Sequence, residues 1–395
     1  MAFFRTLSVA IAALAALLLR APPAAAQQTF QTTAPSVILM DADTRSVLFE
    51  KNADQPVTPA STVKVMTAEL VFREIREGRL ALDTEFVVSE NAWRTGGALS
   101  RGSSMFAALH SRIKIEDLLR GLLIVSGNDA AITLAEGLAG TEVAFAQKMT
   151  QRARELGLQN MNFRNAWGKD DPAQKVTPRE MALLAGHVIG AYPDFYRFFS
   201  EREFTWSKIK QQNRNPLLGM DIGADGLKTG NIDEVSGYGL IGSAVQNGQR
   251  LILAMYGMRN AKDRSEEARK ILQWGFRSFE SKSVFNAGET VGDARLYGGA
   301  TMSVPLVTPR PVKILVPRGS SERLSGRIVY SGPVPAPVTE GQEIARLKLF
   351  RGNTLALETP LNAGETVETG PLQRRALDAL LELGGGLVRK YVFHQ

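Results

Sequence analysis

The strand-forming sequence of this chain comes in two hairpins set far apart, with helix-forming sequence between them. The first, VILMDADTRSVLFEK, ends at Lys51 and turns around Asp41 to Thr44. The second spans residues 235 to 258, where GYGLIGSA and RLILAMYGM are joined by Gln246-Asn247-Gly248-Gln249. Between them a helix is predicted from about Ser61, with apolar Val63, Val65, Met66, Leu70 and Ile75, stopping at Gly78. Residues 114 to 157 read as all-helical. A further helix opens at Thr177, where Pro178 at the first helical position and Glu180 form a capping box. Another runs from about Asp263 to Phe279. Strands at both ends with helices between predict a mixed sheet, completed by the chain's return and flanked by helices. After about Ser283 short Val/Ile/Leu runs alternate with Gly and Pro, which predicts a separate all-β domain.

A chain of 395 residues is long enough for two such domains, each with its own core. At the N-terminus, Arg5 precedes the apolar run Leu7 to Leu19, and Ala24-Ala25-Ala26 offers a small-residue cleavage site. Residues 1–26 therefore read as a secretory signal peptide. The chain has no cysteine, so disulfides, thiol nucleophiles and Cys-based metal sites are excluded. Its formal charge is +7, without a dense Lys/Arg run interleaved with aromatics. That argues against nucleic acid and suits an exported protein facing an anionic surface.

Four motifs compete for chemistry. Gly237-Tyr-Gly-Leu-Ile-Gly242 matches a dinucleotide fingerprint, but such a cradle works only where a strand ends and a helix begins. Here the glycines lie in a period-2 run entering a hairpin turn. The other three form a set: Ser61-Thr62-Val63-Lys64, Ser126-Gly127-Asn128 and Lys228-Thr229-Gly230. Each also has an echo or is short, since Ser207-Lys-Ile-Lys210 repeats S-x-x-K and Ser89-Glu-Asn91 repeats S-x-N. Position separates them. Ser61 sits at a helix start with Lys64 one turn on along the same face, Ser126 lies between two apolar helices, and Lys228 enters the hairpin strand.

In that order the set resembles the low-molecular-mass penicillin-binding proteins of the D-alanyl-D-alanine carboxypeptidase family. The likeness extends through PASTVKVMTA, GGALSRGSSMFA, LLRGLLIVSGNDAA, FTWSKIKQQNRNPLLG and DGLKTG, over roughly residues 30 to 280. It implies an α/β transpeptidase/β-lactamase-like domain over residues 27–282, an antiparallel sheet flanked by helices with a helical subdomain. It also implies an all-β domain over residues 283–370 and a terminal amphipathic helix over residues 371–395. The activity implied is removal of the terminal D-alanine from peptidoglycan stem peptides through an acyl-Ser61 intermediate, open to β-lactams and needing no cofactor or metal.

Residue roles follow the chemistry. Ser61 attacks the carbonyl, and Lys64 is its base if kept neutral, which the nearby cation Lys228 favours. Ser126 relays a proton to the leaving amine, and Asn128 holds the acyl chain's amide. Thr229, beside Gly230, offers a hydroxyl to the terminal carboxylate. By resemblance the oxyanion sits between the backbone N–H groups of Ser61 and Asn231, and Arg264 is the carboxylate-binding arginine. A β-lactamase-like hydrolase and a non-catalytic wall-binding paralogue are the alternatives. The first lacks an E-x-x-L-N block in residues 159 to 180. The histidines, His110, His187 and His394, form no Ser-His-Asp pattern, and His187 reads as a packing residue.

The tail has two faces. Leu372, Ala376, Leu377, Leu380, Leu381, Leu383, Leu387, Val388 and Tyr391 fall on one side, and Arg374, Arg375, Asp378, Glu382 and Arg389 on the other. That pattern suits either an interfacial helix lying on a membrane or a helix packed on the β domain, and the resemblance implies the first, at the periplasmic face of the inner membrane.

Overall fold

The computed structural model describes residues 30–232, 237–320, 323–376 and 379–380. The expected signal peptide, and most of the expected terminal helix, lie outside them. The chain divides into two units, residues 1–33 and residues 34–395, and the second carries all the elements below.

Strands β1 (Ser36–Asp41) and β2 (Val47–Lys51) form the first hairpin. A 3₁₀ turn over Ala60–Val63 then leads into α1 (Lys64–Arg76). The predicted start at Ser61 is thus a tighter turn, and the α-helix proper begins at Lys64. Short pairs β3 (Glu85–Val87) with β4 (Arg112–Lys114) and β5 (Glu203–Trp206) with β6 (Ile209–Gln212) decorate the helical part. The predicted helical stretch resolves into α2 (Ile115–Leu123), α3 (Asn128–Ala139) and α4 (Glu142–Glu155), and α5 (Pro178–Ala191) follows. Thr177 caps α5 by accepting from the Glu180 N–H at 3.2 Å. The capping box is only half made, because the Glu180 carboxylate accepts instead from Asn160 N and Nδ2. A bond to another segment outcompetes the local one.

Strands β7 (Ala224–Ile232), β8 (Gly237–Gln246) and β9 (Gln249–Met258) complete a five-stranded sheet in the order β2-β1-β9-β8-β7. Every neighbouring pair is antiparallel, which corrects the mixed sheet predicted from element order and matches the sheet implied by the resemblance. The Asn247-Gly248 turn has positive φ at both residues (50° and 76°), the conformation that a two-residue hairpin loop requires. Register Leu39↔Leu253 brings the two distant hairpins together as adjacent strands.

The sheet is buried on both faces, which explains its unbroken apolar runs. On one side α6 (Ala261–Ser278) presses so close that a Cβ at Gly275 would lie 2.7 Å from both Leu39 and Leu251. Asn260 caps this helix through the Asp263 N–H at 2.8 Å, so it starts before the predicted Asp263. On the other side α5 packs against β1 and β9, and Ile38, Met40, Ile252 and Ala254 join the core of the helical part.

That core surrounds a buried carboxylate. Glu69 on α1 is fully buried and accepts from Arg152 Nη2 of α4 at 2.8 Å and from the Tyr192 hydroxyl at 3.0 Å. His187 Nε2 of α5 lies 3.2 Å from the same oxygen. His187 thus packs edge-on against Tyr192, as a packing residue would, and adds a polar partner for Glu69. Burial pushes the Glu69 carboxyl up, but the bonds from His187 and Arg152 together bring it below the ordinary carboxylate range.

Strand β10 (Phe279–Phe285) follows α6 directly, four residues before the predicted change of texture. It pairs with β13 (Val312–Pro317) beside a six-stranded sheet that includes β11 (Thr290–Tyr297), β12 (Ser303–Val307), β14 (Leu324–Val329), β15 (Val334–Pro335), β16 (Glu343–Arg351) and β17 (Thr354–Ala363). Alternate residues such as Val304, Leu306, Ala345, Leu347 and Leu349 supply a separate core. No helix among the described residues is long and apolar enough to cross a membrane.

Replacing Arg152 with methionine leaves the buried Glu69 carboxylate with only the His187 ring and the Tyr192 hydroxyl as partners. Such a change is expected to cost about 3 kcal/mol of stability, measured by urea unfolding. A loss below about 0.5 kcal/mol would show that the Glu69 cluster does not hold α1, α4 and α5 together.

Candidate active site

Three elements converge on Ser61: its own turn and α1, the loop between α2 and α3, and strand β7. Lys64 follows Ser61 by three residues, so its side chain turns back toward the serine. Its Nζ lies 3.1 Å from Ser61 Oγ. The loop after α2 carries Ser126 in a left-handed conformation (φ 62°), and Asn128 opens α3. Lys64 Nζ reaches the Ser126 carbonyl at 2.8 Å, Asn128 Oδ1 at 2.7 Å and Ser126 Oγ at 3.3 Å. From β7, Lys228 Nζ reaches Ser126 Oγ at 2.8 Å. Lys64 and Lys228 are both essentially inaccessible, at 0% and 1% exposure.

The partners around Lys64 define what its amine does. A carbonyl and an amide oxygen only accept, so they take two N–H groups. A neutral amine has two N–H groups and one lone pair, and the lone pair is then left for the Ser61 hydroxyl. Burial first, then the charge on Lys228, drive Lys64 well below the ordinary lysine value, while Asp129 opposes the shift. Lys228 is itself lowered to about 7 by burial and by the charges of Arg264 and Arg214. Ser126 Oγ accepts from the Lys228 ammonium, which leaves its own proton free to be given away.

Strand β7 lies against the nucleophile's turn. A Cβ at Gly230 would come 2.8 Å from the Pro59 carbonyl and 3.2 Å from Ser61 N, so the third residue of Lys-Thr-Gly is small for steric reasons. Thr229 is buried and Asn231 exposed, with Asn231 paired to Tyr238 of β8. Arg264, near the start of α6, is 8% exposed, and its guanidinium sits 5.6 Å from the Tyr238 ring centre. Its Nε has no hydrogen-bond partner among the described residues. Its charge acts on Lys228, which makes it a cation available to an anion near β7.

Several neighbours carry no motif. Asn165 Oδ1 accepts from the backbone N–H groups of Gly168 and Lys169 at 2.7 and 2.9 Å, holding a tight loop. That loop puts the Trp167 carbonyl 3.5 Å from Ser61 Oγ. Gly168 has φ 95°, and a Cβ there would collide with the Ala60 carbonyl at 2.1 Å. Arg214 stands in the FTWSKIKQQNRNPLLG block outside any short motif, and Asp129 follows Asn128 directly.

The competing motifs fall away. Ser207 lies in the β5–β6 turn with φ 48°, and Lys210 pairs with Glu203 at 2.7 Å. Ser89 Oγ accepts from Ala92 N at 2.9 Å and so serves a local turn. The Gly237–Gly242 run is strand β8, where a Cβ at Gly242 would lie 2.7 Å from Leu217. These glycines admit neighbouring side chains.

Residues 23–260 match the family model described as D-alanyl-D-alanine carboxypeptidase, and residues 279–369 match that of the penicillin-binding protein 5 C-terminal domain. The chain is 36% identical over 374 residues to D-alanyl-D-alanine carboxypeptidase DacC of Escherichia coli, covering 92% of this chain and 93% of that one. It is also 36% identical over 320 residues to D-alanyl-D-alanine carboxypeptidase DacA of Haemophilus influenzae, covering 80% and 81%. Among solved structures, penicillin-binding protein 5 from Haemophilus influenzae superposes with a TM-score of 0.79 at 34% identity, covering 86% of this chain and 98% of that one.

A Gly230→Ala variant is expected to fold but to push β7 away from the Ser61 turn. Labelling of the protein by a fluorescent penicillin should slow by about tenfold or more, with circular dichroism unchanged. Labelling at the wild-type rate would mean that the close approach of β7 has no part in the reaction.

Proposed function

The chain belongs to the D-alanyl-D-alanine carboxypeptidase family and is a serine carboxypeptidase that acts on peptidoglycan stem peptides and is acylated by β-lactams; from that premise we propose that the Ser61 cluster is its active site. The observation that carries this assignment is the set of bonds around Lys64. Two strict acceptors hold its N–H groups, and its remaining valence faces Ser61 Oγ at 3.1 Å.

In this reading Ser61 Oγ attacks the carbonyl of the penultimate residue while its proton passes to Lys64. The oxyanion is met by the backbone N–H groups of Ser61 and Asn231. Ser126, bridging the two lysines, delivers a proton to the nitrogen of the departing D-alanine. Asn128 holds the acyl chain, and Thr229, with Gly230 giving room beside it, faces the terminal carboxylate. Lys228 and Arg264 supply positive charge for that carboxylate. Water then attacks the acyl-Ser61 ester and releases the shortened peptide.

The proposal extends to residues 1–26 as an export signal, residues 27–282 and 283–370 as the two folded domains, and residues 371–395 as a surface anchor at the periplasmic side of the inner membrane. One contact and the exposure of two leucines support the anchor. Arg374 Nη1 donates to the Ala300 carbonyl of the β domain at 2.8 Å, whereas Leu372 and Leu380 are 78% and 69% exposed. The basic side of this segment thus faces protein at Arg374, and leucines remain on the outside, where an interfacial helix needs them.

Peptide mapping after benzylpenicillin treatment is expected to find the adduct on Ser61 and not on Ser207, and Lys64→Ala should abolish it without unfolding the chain. The rate of acylation should be bell-shaped in pH. It rises as Lys64 loses its proton, below the ordinary lysine pKa of 10.5, and falls as Lys228 loses its charge above about 7. A flat profile, or label on Ser207, would remove the assignment.

Deleting residues 371–395 is expected to abolish binding of the mature protein to vesicles containing anionic lipid. Hydrolysis of a small peptide ending in D-Ala-D-Ala should be nearly unchanged, because the proposed catalytic groups lie far upstream. Equal partitioning of truncated and full-length protein in a flotation assay would end the anchor reading.

A further inference from the structure

Asp129 is a fully buried carboxylate with no part in the mechanism above. It stands next to Asn128 in the first turn of α3 and collects bonds from one neighbouring segment. Its Oδ2 accepts from the Ser104 hydroxyl at 2.7 Å and from Ala107 N at 3.1 Å. Its Oδ1 accepts from Met105 N at 2.9 Å and from Ala130 N at 3.0 Å. The segment so gripped lies along the turn that presents Ser126 and Asn128. Ser103 O accepts from Asn128 N at 2.8 Å, and a Cβ at Gly127 would meet Asp129 Oδ1 at 2.8 Å and Met105 N at 3.0 Å. Gln211 Nε2 of β6 closes the far side by donating to the Ser104 carbonyl at 3.0 Å.

We propose that Asp129 is a positioning residue for acylation: its carboxylate straps residues 104–107 against the Ser126–Asn128 turn and balances the charge of the buried lysine pair. The proposal rests on the assignment of Lys64 as the base of Ser61. The strap fixes the turn whose Ser126 carbonyl and Asn128 amide oxygen hold the Lys64 amine. The charge acts at the same place. Lys64 feels the charges of Lys228 from β7 and of Asp129 from α3, with Ser61, Ser126 and Asn128 as its neutral neighbours. Lys228 is faced in turn by Arg264 from α6 and by Arg214. Asp129 is the one anion acting on Lys64 among these groups. It favours the protonated amine, so it limits how far the cations can depress Lys64.

The sign of its removal is therefore unusual for a damaging substitution. Without the carboxylate charge Lys64 loses its proton more easily, and the neutral base is present at lower pH. The test is the pH dependence of the second-order rate of acylation by a fluorescent penicillin, using the full mature chain. Asp129→Asn keeps the size of the side chain and removes the charge. It is expected to move the acidic limb to lower pH by about one unit. The plateau should fall by about tenfold, because an amide offers only one acceptor to a strap of N–H and O–H donors. A purely structural role would lower the plateau and leave the limb where it was, and that result overturns the proposal. Ser104→Ala keeps the charge and removes one donor, so the limb should stay in place while the plateau falls several-fold. This second variant serves even if Asp129→Asn does not fold, and an unchanged plateau in it overturns the strap. A wild-type profile without an acidic limb overturns this proposal together with the Lys64 assignment. A wild-type limb that Asp129→Asn leaves in place overturns this proposal alone.

Discussion

Everything in the catalytic half of this protein is arranged around two lysines that share one serine hydroxyl in a space closed to water. Lys64 and Lys228 each lie within hydrogen-bonding distance of Ser126 Oγ, at 3.3 and 2.8 Å. Like charges so placed repel, and burial removes the water that would screen them. The repulsion is relieved when one amine gives up its proton, which is the condition that nucleophile activation requires. The same closeness that would be a defect in an ordinary core is what the proposed role of Lys64 as base requires.

Holding such a pair requires rigid surroundings, and the fold supplies them from three directions. Strand β7 is clamped in the sheet by β8 and comes against the Ser61 turn at Gly230. The Asn165 loop comes from the opposite side and meets the same turn at Gly168. From α3, Asp129 secures the residues that lie along the Ser126 turn. In each case a polar side chain or a regular strand fixes the backbone, and where backbones approach most closely the residue is glycine. The Glu69 cluster does comparable work deeper in the helical part, joining α1, on which Lys64 stands, to α4 and α5.

The chain disclosed its elements where local chemistry decided them. Thr177 and Pro178 marked the start of α5, Asn247-Gly248 marked the second hairpin, and the texture after α6 marked the β domain. It disclosed less where a distant partner won. The Glu180 carboxylate turned to Asn160, and His187 turned to Glu69. The antiparallel course of the whole sheet depends on β1 pairing with β9, a contact that element order left undecided. Trp167 belongs to no motif because it meets Ser61 through its backbone carbonyl, and Asp129 because its carboxylate bonds to a separate segment, residues 104–107, which any short pattern omits.

By itself the sequence picked out the side chains proposed to react. Ser61 and Lys64 are bound to meet because three residues make one helical turn, and Lys-Thr-Gly needs an extended strand with a glycine where it touches another backbone. It also ruled out thiol and disulfide chemistry, since the chain has no cysteine. Only the tertiary structure decided that Lys228 would lie beside Ser126, that both lysines would be buried, and that the charge of Arg264 would act on Lys228. Those properties are sums over residues far apart in the chain. Burial and the field of distant charges set the protonation of an amine, and neither exists until the sheet has closed.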